Sequence, residues 1–87
     1  MNVEVYTKPD CPACKVTLAQ LNRLGVPYET KDALEYADFL TRLGAQAAPV
    51  VIVYQQKGGP RVHWWAGHRP DHITNLATQT LKRNHKQ

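Results

Sequence analysis

The sequence has 87 residues, which is the size of one small domain with a modest core. Its apolar share of 43% is ordinary for a globular protein, and its formal net charge at pH 7 is +4. Three basic residues fall in the last six positions and no nucleic-acid motif accompanies them, so we expect no nucleic-acid partner. No apolar run approaches the ~20 residues of a membrane span and the N-terminus is too polar for a signal peptide, which predicts a cytoplasmic protein without membrane association.

The first predicted element is a strand over residues 2–6, where polar and apolar residues alternate. A loop follows, and a helix is predicted from Pro12 to Leu24. Gly25 is placed to cap that helix. The apolar residues of this predicted helix recur at helical spacing: Val16, Leu18, Leu21 and Leu24. A short strand over residues 26–30 completes a parallel β-α-β unit, and Pro27 at its start indicates an edge position.

The only two cysteines, Cys11 and Cys14, lie at the turn between the first strand and the first helix. On a helix this spacing places both side chains on one face, close enough for a disulfide. Pro12 suits the first helical position, which needs no amide hydrogen. The unpaired amides and the helix dipole favour a thiolate at Cys11, whereas Cys14 lies deeper in the helix and stays neutral. The pattern predicts that Cys11 attacks and Cys14 resolves.

The second half of the chain predicts a helix, a hairpin and a final helix. Asp32 is placed to cap the second helix with Glu35 as its capping-box partner, and Gly44 ends it. Its predicted buried stripe is Leu34, Ala37, Leu40 and Leu43. The apolar run 50–54 predicts a central strand buried on both faces, and 61–65 predicts its antiparallel partner. Pro70 and Asp71 open the third helix, whose predicted inward residues are Ile73, Leu76, Ala77 and Leu81.

This order predicts an α/β fold, β-α-β-α-β-β-α, with a four-stranded mixed sheet flanked by three helices. A Cys-x-x-Cys motif at the first strand-helix turn of such a pattern is the signature of a thioredoxin-like redox protein. We expect one domain over residues 1–81, followed by a frayed basic tail over residues 82–87.

Zinc binding is the main alternative use of the two cysteines. Either His63 with His68, or His68 with His72, has the separation usual for paired histidine ligands. The gap between the cysteines and the first histidine is far longer than the ~12–15 residues of a compact zinc finger. Pro12 also favours a helix start over a metal-binding knuckle. We therefore expect no metal and no cofactor beyond the redox-active pair itself.

Three segments resemble the glutaredoxins, and most closely the NrdH-redoxins, over nearly the whole chain. They are residues 6–11, residues 43–44 together with 48–51, and residues 65–71. The last segment distinguishes NrdH-redoxins from other glutaredoxins, because NrdH-redoxins carry a Trp-Ser-Gly-Phe-Arg-Pro-type sequence there. Here His68 replaces the phenylalanine of that sequence.

The resemblance implies roles for further residues around the cysteines. The proline matching Pro49 is cis in the family and faces the two cysteines, which exposes the backbone of Ala48 to an extended substrate strand. The alternative is that Pro49 has a trans peptide bond and simply begins the strand. Lys8 and Pro12 are expected at the substrate site. Trp65, Gly67, Arg69 and Pro70 are expected to support the site, with core filling as the alternative for Trp65.

The resemblance also implies partners. NrdH-redoxins donate electrons to class Ib ribonucleotide reductase, at a disulfide on the C-terminal tail of its large subunit, and thioredoxin reductase reduces them. The alternative is a glutathione-dependent glutaredoxin. Such proteins bind glutathione through a Gly-Gly-x-x-Asp-type segment, where this chain has Gly67 followed by His68, Arg69 and Pro70. Lys8 matches a glutaredoxin lysine that meets a glutathione carboxylate, which keeps the alternative open. We expect a monomer.

Overall fold

A computed structural model describes the backbone of residues 1–85 and the side chains of residues 1–80. The strands are β1 (Asn2–Thr7), β2 (Glu29–Asp32), β3 (Val50–Tyr54) and β4 (Arg61–Ala66). The helices are α1 (Pro12–Arg23), α2 (Ala37–Leu43) and α3 (Pro70–His85). The order β-α-β-α-β-β-α and the thioredoxin-like α/β class predicted from the sequence are confirmed.

The four strands form one mixed sheet in the order β2-β1-β3-β4. β1 and β2 run parallel, whereas β3 is antiparallel to both of its neighbours, β1 and β4. Because β3 begins where β1 ends, Val50 lies opposite Tyr6, and on its other side Val50 lies opposite Ala66. The loop after β1, the entry to β3 and the exit from β4 therefore meet at one end of the sheet.

Each face of the sheet carries its own apolar cluster. One face packs against α1 and α3 through a buried cluster: Val3, Val5, Leu21, Val26, Val51, Val53, Trp65, Ile73, Leu76 and Ala77. The other face packs against α2 through a smaller one: Tyr6, Leu40, Val50 and Ile52. The strand residues alternate between the two clusters, as the two-residue period of a strand requires.

β3 has the bounds predicted from its run of five apolar residues. Its first four residues are buried, and Val51 and Ile52 are fully enclosed although they face opposite sides of the sheet. The two tryptophans of β4 also lie on opposite faces. Trp65 belongs to the α1–α3 cluster, and Trp64 packs on the α2 side.

The prediction for β2 is wrong in its bounds. The strand begins at Glu29, three residues after the predicted start, because residues 24–26 still complete the end of α1. Gly25 has a φ of +73°, and the amide of Val26 donates to the carbonyl of Leu21 over 3.0 Å. This pattern of a left-handed glycine followed by a buried apolar residue is a helix cap. The position of β2 at the edge of the sheet is as predicted.

The capping box predicted at the start of α2 does not form. Asp32 is the last residue of β2, and its carboxylate accepts from the Leu34 amide over 2.9 Å, so it stabilises a turn rather than a helix. α2 starts only at Ala37, after Tyr36, whose side chain makes no capping bond. Leu34 is consequently 65% exposed, and Ala37 is exposed as well, contrary to the predicted buried stripe. Gly44 does end α2, in a left-handed conformation with φ of +104°.

α3 begins at Pro70 as predicted and buries Ile73, Leu76 and Ala77 against the sheet. Its backbone is helical through His85, beyond residue 81, where the sequence places the end of the domain. The side chain of Leu81 and the last two residues of the predicted basic tail lie outside the described part of the chain. Within the described residues, no helix has the length and apolarity needed to cross a membrane.

Candidate redox site

The turn that carries the cysteines is formed by local backbone preferences. Asp10 takes a left-handed φ of +55°, which aspartate tolerates better than most residues, and this reverses the chain after β1. Cys11 follows as the N-cap of α1 in an extended conformation, and Pro12 is the first helical residue. The carbonyl of Cys11 accepts the first helical hydrogen bond, from the Lys15 amide over 3.1 Å. The predicted position of the pair at a strand-helix turn is thus confirmed.

Cys11 and Cys14 form a disulfide across the first turn of α1, with their Cα atoms 5.2 Å apart. Both residues are almost fully buried, Cys14 more so than Cys11. The Cys14 amide also donates to Cys11 Sγ over 3.1 Å. The first turn of α1 contains no acidic residue. After reduction, the same amide and the positive end of the helix would stabilise a negative charge on Cys11, whereas Cys14 has no such position.

The peptide bond between Ala48 and Pro49 is cis, as the family resemblance implies. Pro49 is fully buried and Ala48 is half-buried. The carbonyl of Pro49 accepts from the Gly67 amide over 2.8 Å. Gly67 has a φ of +83°, a conformation that glycine adopts without strain, so it can turn the chain after β4 and reach Pro49. The loop before β3 and the loop after β4 are thereby joined at the cysteine end of the sheet.

Two polar side chains of α1 attach the segment 67–70 to the helix that bears the cysteines. Thr17 is fully buried, and its Oγ1 lies 2.9 Å from Nδ1 of His68. Gln20 is 9% exposed, and its Nε2 donates to the carbonyl of Pro70 over 3.4 Å. We did not single out Thr17 or Gln20 in the sequence. The available signal was their spacing, because both fall on the Cys14 face of the helix, where apolar residues would be expected.

Lys8 is exposed at the end of β1, in a shallow groove of about 460 Å³. Lys31 and Asp32 at the end of β2 line the same groove. Lys31 is also paired with Glu4, whose carboxylate lies 3.5 Å from its Nζ. Pro12 is exposed beside the cysteines. These two predicted substrate-site residues are therefore accessible to a partner, and neither contributes to the core.

The predicted supporting residues differ in what they contact. Trp65 is buried in the α1–α3 cluster and stacks on His72, in the first turn of α3, with ring centroids 5.0 Å apart. Arg69 is exposed and pairs with Asp71, with Nε 3.7 Å from Oδ1. Desolvation acts to raise the pKa of the Asp71 carboxyl, but the backbone amides of His72 and Asp71 and the Arg69 charge outweigh it, so that pKa lies below its ordinary value.

Comparison with known proteins identifies the family. The glutaredoxin family matches residues 3–57, more than half of the chain. The chain belongs to the glutaredoxin family. In structure it is similar to NrdH-redoxin from Escherichia coli, with 30% sequence identity, a TM-score of 0.74, and coverage of 87% of this chain and 95% of that one. The resemblance to NrdH-redoxins predicted from the sequence is confirmed.

Two further comparisons are consistent with the thioredoxin-like fold. The SPbeta prophage-derived thioredoxin-like protein YosR of Bacillus subtilis (strain 168) is 26% identical over 69 residues, which cover 79% of this chain and 85% of that protein. Mitochondrial thioredoxin 3 of Saccharomyces cerevisiae superposes with a TM-score of 0.69, covering 88% of this chain and 76% of that one. At 18% identity the second likeness shows the fold alone.

Family and site together establish the class of chemistry. A glutaredoxin-like fold with a Cys11–Cys14 disulfide at the start of α1 is a thiol-disulfide oxidoreductase. Its disulfide and a dithiol are the two states that exchange with a partner.

Proposed function

We propose that this protein donates electrons to ribonucleotide reductase and is itself reduced by thioredoxin reductase. The observation that carries the proposal is the segment 67–70, which follows the NrdH-type pattern and packs against α1. The E. coli NrdH-redoxin to which the chain is similar is described as glutaredoxin-like with a thioredoxin-like activity profile. A thioredoxin-like profile is the behaviour expected of a protein that accepts electrons from a reductase rather than from glutathione.

The hydrogen bonds of this segment support the choice of electron donor. Glutathione-dependent glutaredoxins are expected to receive the γ-glutamyl carboxylate on backbone amides at this place. Here the Gly67 amide donates to the carbonyl of Pro49, and Pro70 has no amide to offer. His68 occupies the second glycine position, and its ring is engaged by Thr17. This segment therefore offers fewer free backbone donors than a Gly-Gly-x-x-Asp-type segment would, and it carries a bulky side chain in place of the second glycine.

The proposed reaction is a two-step thiol-disulfide exchange. The Cys11 thiolate attacks one sulfur of the target disulfide, forms a mixed disulfide and releases the other target sulfur as a thiolate, which takes up a proton. Cys14 then loses its proton and attacks Cys11 Sγ. The Cys11–Cys14 disulfide forms and the second target thiol leaves. Two electrons pass from the protein to the target, and thioredoxin reductase returns them by the reverse exchange.

An extended target segment has a docking place beside the cysteines. The backbone of Ala48, before the cis Pro49, offers an amide and a carbonyl that could pair with an extended strand, and Pro12 lies exposed beside the disulfide. The expected target is the disulfide-bearing C-terminal tail of the large subunit of ribonucleotide reductase. Docking as an extended strand suits such a tail.

A glutathione-dependent glutaredoxin is the second candidate. The observation that favours it is the groove containing Lys8 and Lys31, which presents cationic side chains for a carboxylate. Both lysines lie on the β1–β2 side of the sheet, whereas the segment 67–70, which would bind the other end of glutathione, follows β4. We rank this candidate below the first because only one of the two carboxylate sites has matching residues.

A comparison of reductants tests the proposal. The oxidised protein is given either NADPH with thioredoxin reductase, or glutathione with glutathione reductase and NADPH. Reduction of a model disulfide is followed through the consumption of NADPH at 340 nm. We expect turnover with thioredoxin reductase and almost none with glutathione. In the double variant, His68→Gly removes the bulky ring and Pro70→Ala adds one backbone donor, so this variant should gain glutathione activity. Each charge-assisted hydrogen bond is worth ~1.5–3 kcal/mol, or one to two decades in affinity.

The single variant Arg69→Lys is the matched control, because it alters the same segment without adding an amide. Rapid turnover of the natural protein with glutathione, together with no reduction by thioredoxin reductase, would replace the proposal with the glutaredoxin alternative.

A further inference from the structure

Three aromatic rings form a cluster between β4 and α3 that the redox reaction does not use. Nε2 of His63 lies 3.2 Å from Nδ1 of His72. The His72 ring stacks on Trp65 at an interplanar angle of 15°, and the His63 ring also contacts Trp65, with centroids 5.4 Å apart. The cluster lines a groove of about 470 Å³ together with Asn75 and Gln79 of α3.

This histidine pair is separate from the cysteine site. On β4, Ala66 pairs with the first residue of β3, whereas His63 pairs with Val53, three residues further along. At about 3.3 Å per residue, His63 lies ~10 Å from the cysteine end of the sheet. The zinc pairings considered from the sequence both used His68, but the ring of His68 is bonded to Thr17 instead.

We propose that His63 and His72 form a chelating site for a first-row divalent metal ion such as Zn²⁺. A metal bound to two imidazoles at 2.0–2.1 Å holds the nitrogens roughly 2.9 Å apart at a right angle and roughly 3.3 Å apart at a tetrahedral angle. The observed 3.2 Å lies within that range. The two ligands come from different elements, so the bound ion joins the edge strand β4 to α3.

The surroundings hold the two rings in position before a metal arrives. His72 is half-buried and fixed by its stack on Trp65, so little side-chain entropy is lost on binding. In the metal-free protein one of the two facing nitrogens must carry a proton that it donates to the other. On binding, that proton moves to the outer nitrogen of the same ring, and both lone pairs then face the ion.

The site is open and binds weakly. Within the described residues, no cluster of three or more histidine, cysteine, aspartate or glutamate side chains could hold a metal, so the remaining positions belong to water or to the amide oxygens of Asn75 and Gln79. The two-ligand set therefore makes an exchangeable site rather than a structural one. Imidazole ligands suit Zn²⁺ and Cu²⁺, and Cu²⁺ is the tighter of the two in the general order of affinities.

Zn²⁺ titration of the oxidised protein, followed by calorimetry, tests this site. The disulfide keeps Cys11 and Cys14 from competing, and a Cys11→Ser, Cys14→Ser double variant repeats the test without thiols. We expect one Zn²⁺ per chain, and each of His63→Gln and His72→Gln should weaken binding by about 100-fold, the advantage that linking two ligands provides. In ¹⁵N spectra, Zn²⁺ should shift His63 Nε2 and His72 Nδ1 together.

His68→Gln is the control, because the His68 ring bonds to Thr17 outside the cluster, so its loss should leave the Zn²⁺ affinity unchanged. His63 is exposed, so His63→Gln reports on the site even if His72→Gln, which changes the ring stacked on Trp65, unfolds. The absence of binding up to about 1 mM Zn²⁺ would overturn the proposal. So would binding that survives His63→Gln, or binding that is lost in His68→Gln.

Discussion

At the scale of single residues, the start of α1 distinguishes the two cysteines. Cys11 is the N-cap, and its sulfur accepts from a backbone amide. Cys14 lies one turn further into the helix and is almost completely enclosed. A thiolate at the N-cap is stabilised by the unpaired amides and by the helix dipole, whereas a thiolate buried in the helix is not. The cysteine that attacks is therefore expected to be Cys11.

This difference predicts which variant traps its substrate. Cys14→Ser keeps the attacking thiolate but cannot resolve the mixed disulfide, so target proteins should accumulate as covalent adducts. Cys11→Ser should form almost none. Non-reducing gel electrophoresis followed by mass spectrometry measures both, with the double serine variant as the blank. Equal trapping by the two single variants would contradict the assignment of roles.

Thr17 and His68 form the other residue-scale contact with a measurable energy. Thr17 is fully buried and bonds across from α1 to the loop before α3. Thr17→Val keeps the volume and removes the hydroxyl, so we expect a loss of about 1 kcal/mol in the free energy of unfolding by urea. His68→Phe introduces the residue typical of NrdH-redoxins and removes the same bond.

A double-mutant cycle isolates that bond. If the two side chains interact as the structure shows, the double variant should lose less than the sum of the single losses, with a coupling of roughly 0.5–1.5 kcal/mol. Thr78→Val is the matched control, because the Thr78 hydroxyl bonds to the backbone carbonyl of Thr74 within the same helix and in an exposed position. Strict additivity of Thr17→Val and His68→Phe would show that the contact contributes nothing to stability.

At the scale of elements, the end of α2 depends on one backbone conformation. Gly44 has a φ of +104°, and a Cβ built there would lie 4.0 Å from the Trp64 ring, which is ordinary van der Waals contact. Space is therefore available, and the cost of a side chain comes from the backbone alone. We expect Gly44→Ala to lower the free energy of unfolding by about 1–2 kcal/mol.

Gly44→Asn serves as the comparison, because asparagine tolerates positive φ and still adds a Cβ. Urea denaturation of both variants should show a clearly smaller loss for asparagine than for alanine. Equal losses for the two would indicate that crowding against Trp64, and not the backbone, limits this position.

Elements with a continuous local signal were predictable from the sequence. β3 follows from five consecutive apolar residues, and the ends of α1 and α2 follow from Gly25 and Gly44. The start of α2 was mispredicted because Asp32 and Glu35 fit the spacing of a capping box, whereas the carboxylate of Asp32 is used by a turn. The choice between a turn and a helix depends on the pairing of β2 with β1, which local sequence does not show.

The parts of the candidate site that contain distinctive residue patterns were predictable from the sequence, and the parts formed by common residues were not. Two cysteines with a proline between them, and a proline before a buried strand, are distinctive. Thr17 and Gln20 are ordinary residues on a helix, and their contacts with His68 and Pro70 span 51 and 50 residues of sequence. The His63–His72 pair likewise depends on how α3 packs beside β4. Such contacts follow from the three-dimensional arrangement and not from spacing.

At the scale of the whole molecule, the sheet order brings three separate segments to one end. β1 leads into the cysteine turn, β3 follows the cis Pro49, and β4 is followed by Gly67, whose amide donates to the carbonyl of Pro49. A partner that approaches this end meets the disulfide, the Ala48 backbone and the start of α3 together. The segment 67–70, attached to α1 by two hydrogen bonds, is the part that distinguishes the electron donor in our proposal.

Turnover of class Ib ribonucleotide reductase tests the central proposal most directly. Deoxyribonucleotide formation is measured with NADPH, thioredoxin reductase and this protein as the only electron carrier, and again with glutathione and its reductase in place of thioredoxin reductase. We predict sustained turnover in the first system, a background rate in the second, and the loss of turnover with Cys11→Ser. Sustained turnover with glutathione alone, or no turnover with thioredoxin reductase while the protein still reduces a model disulfide, would contradict the proposal.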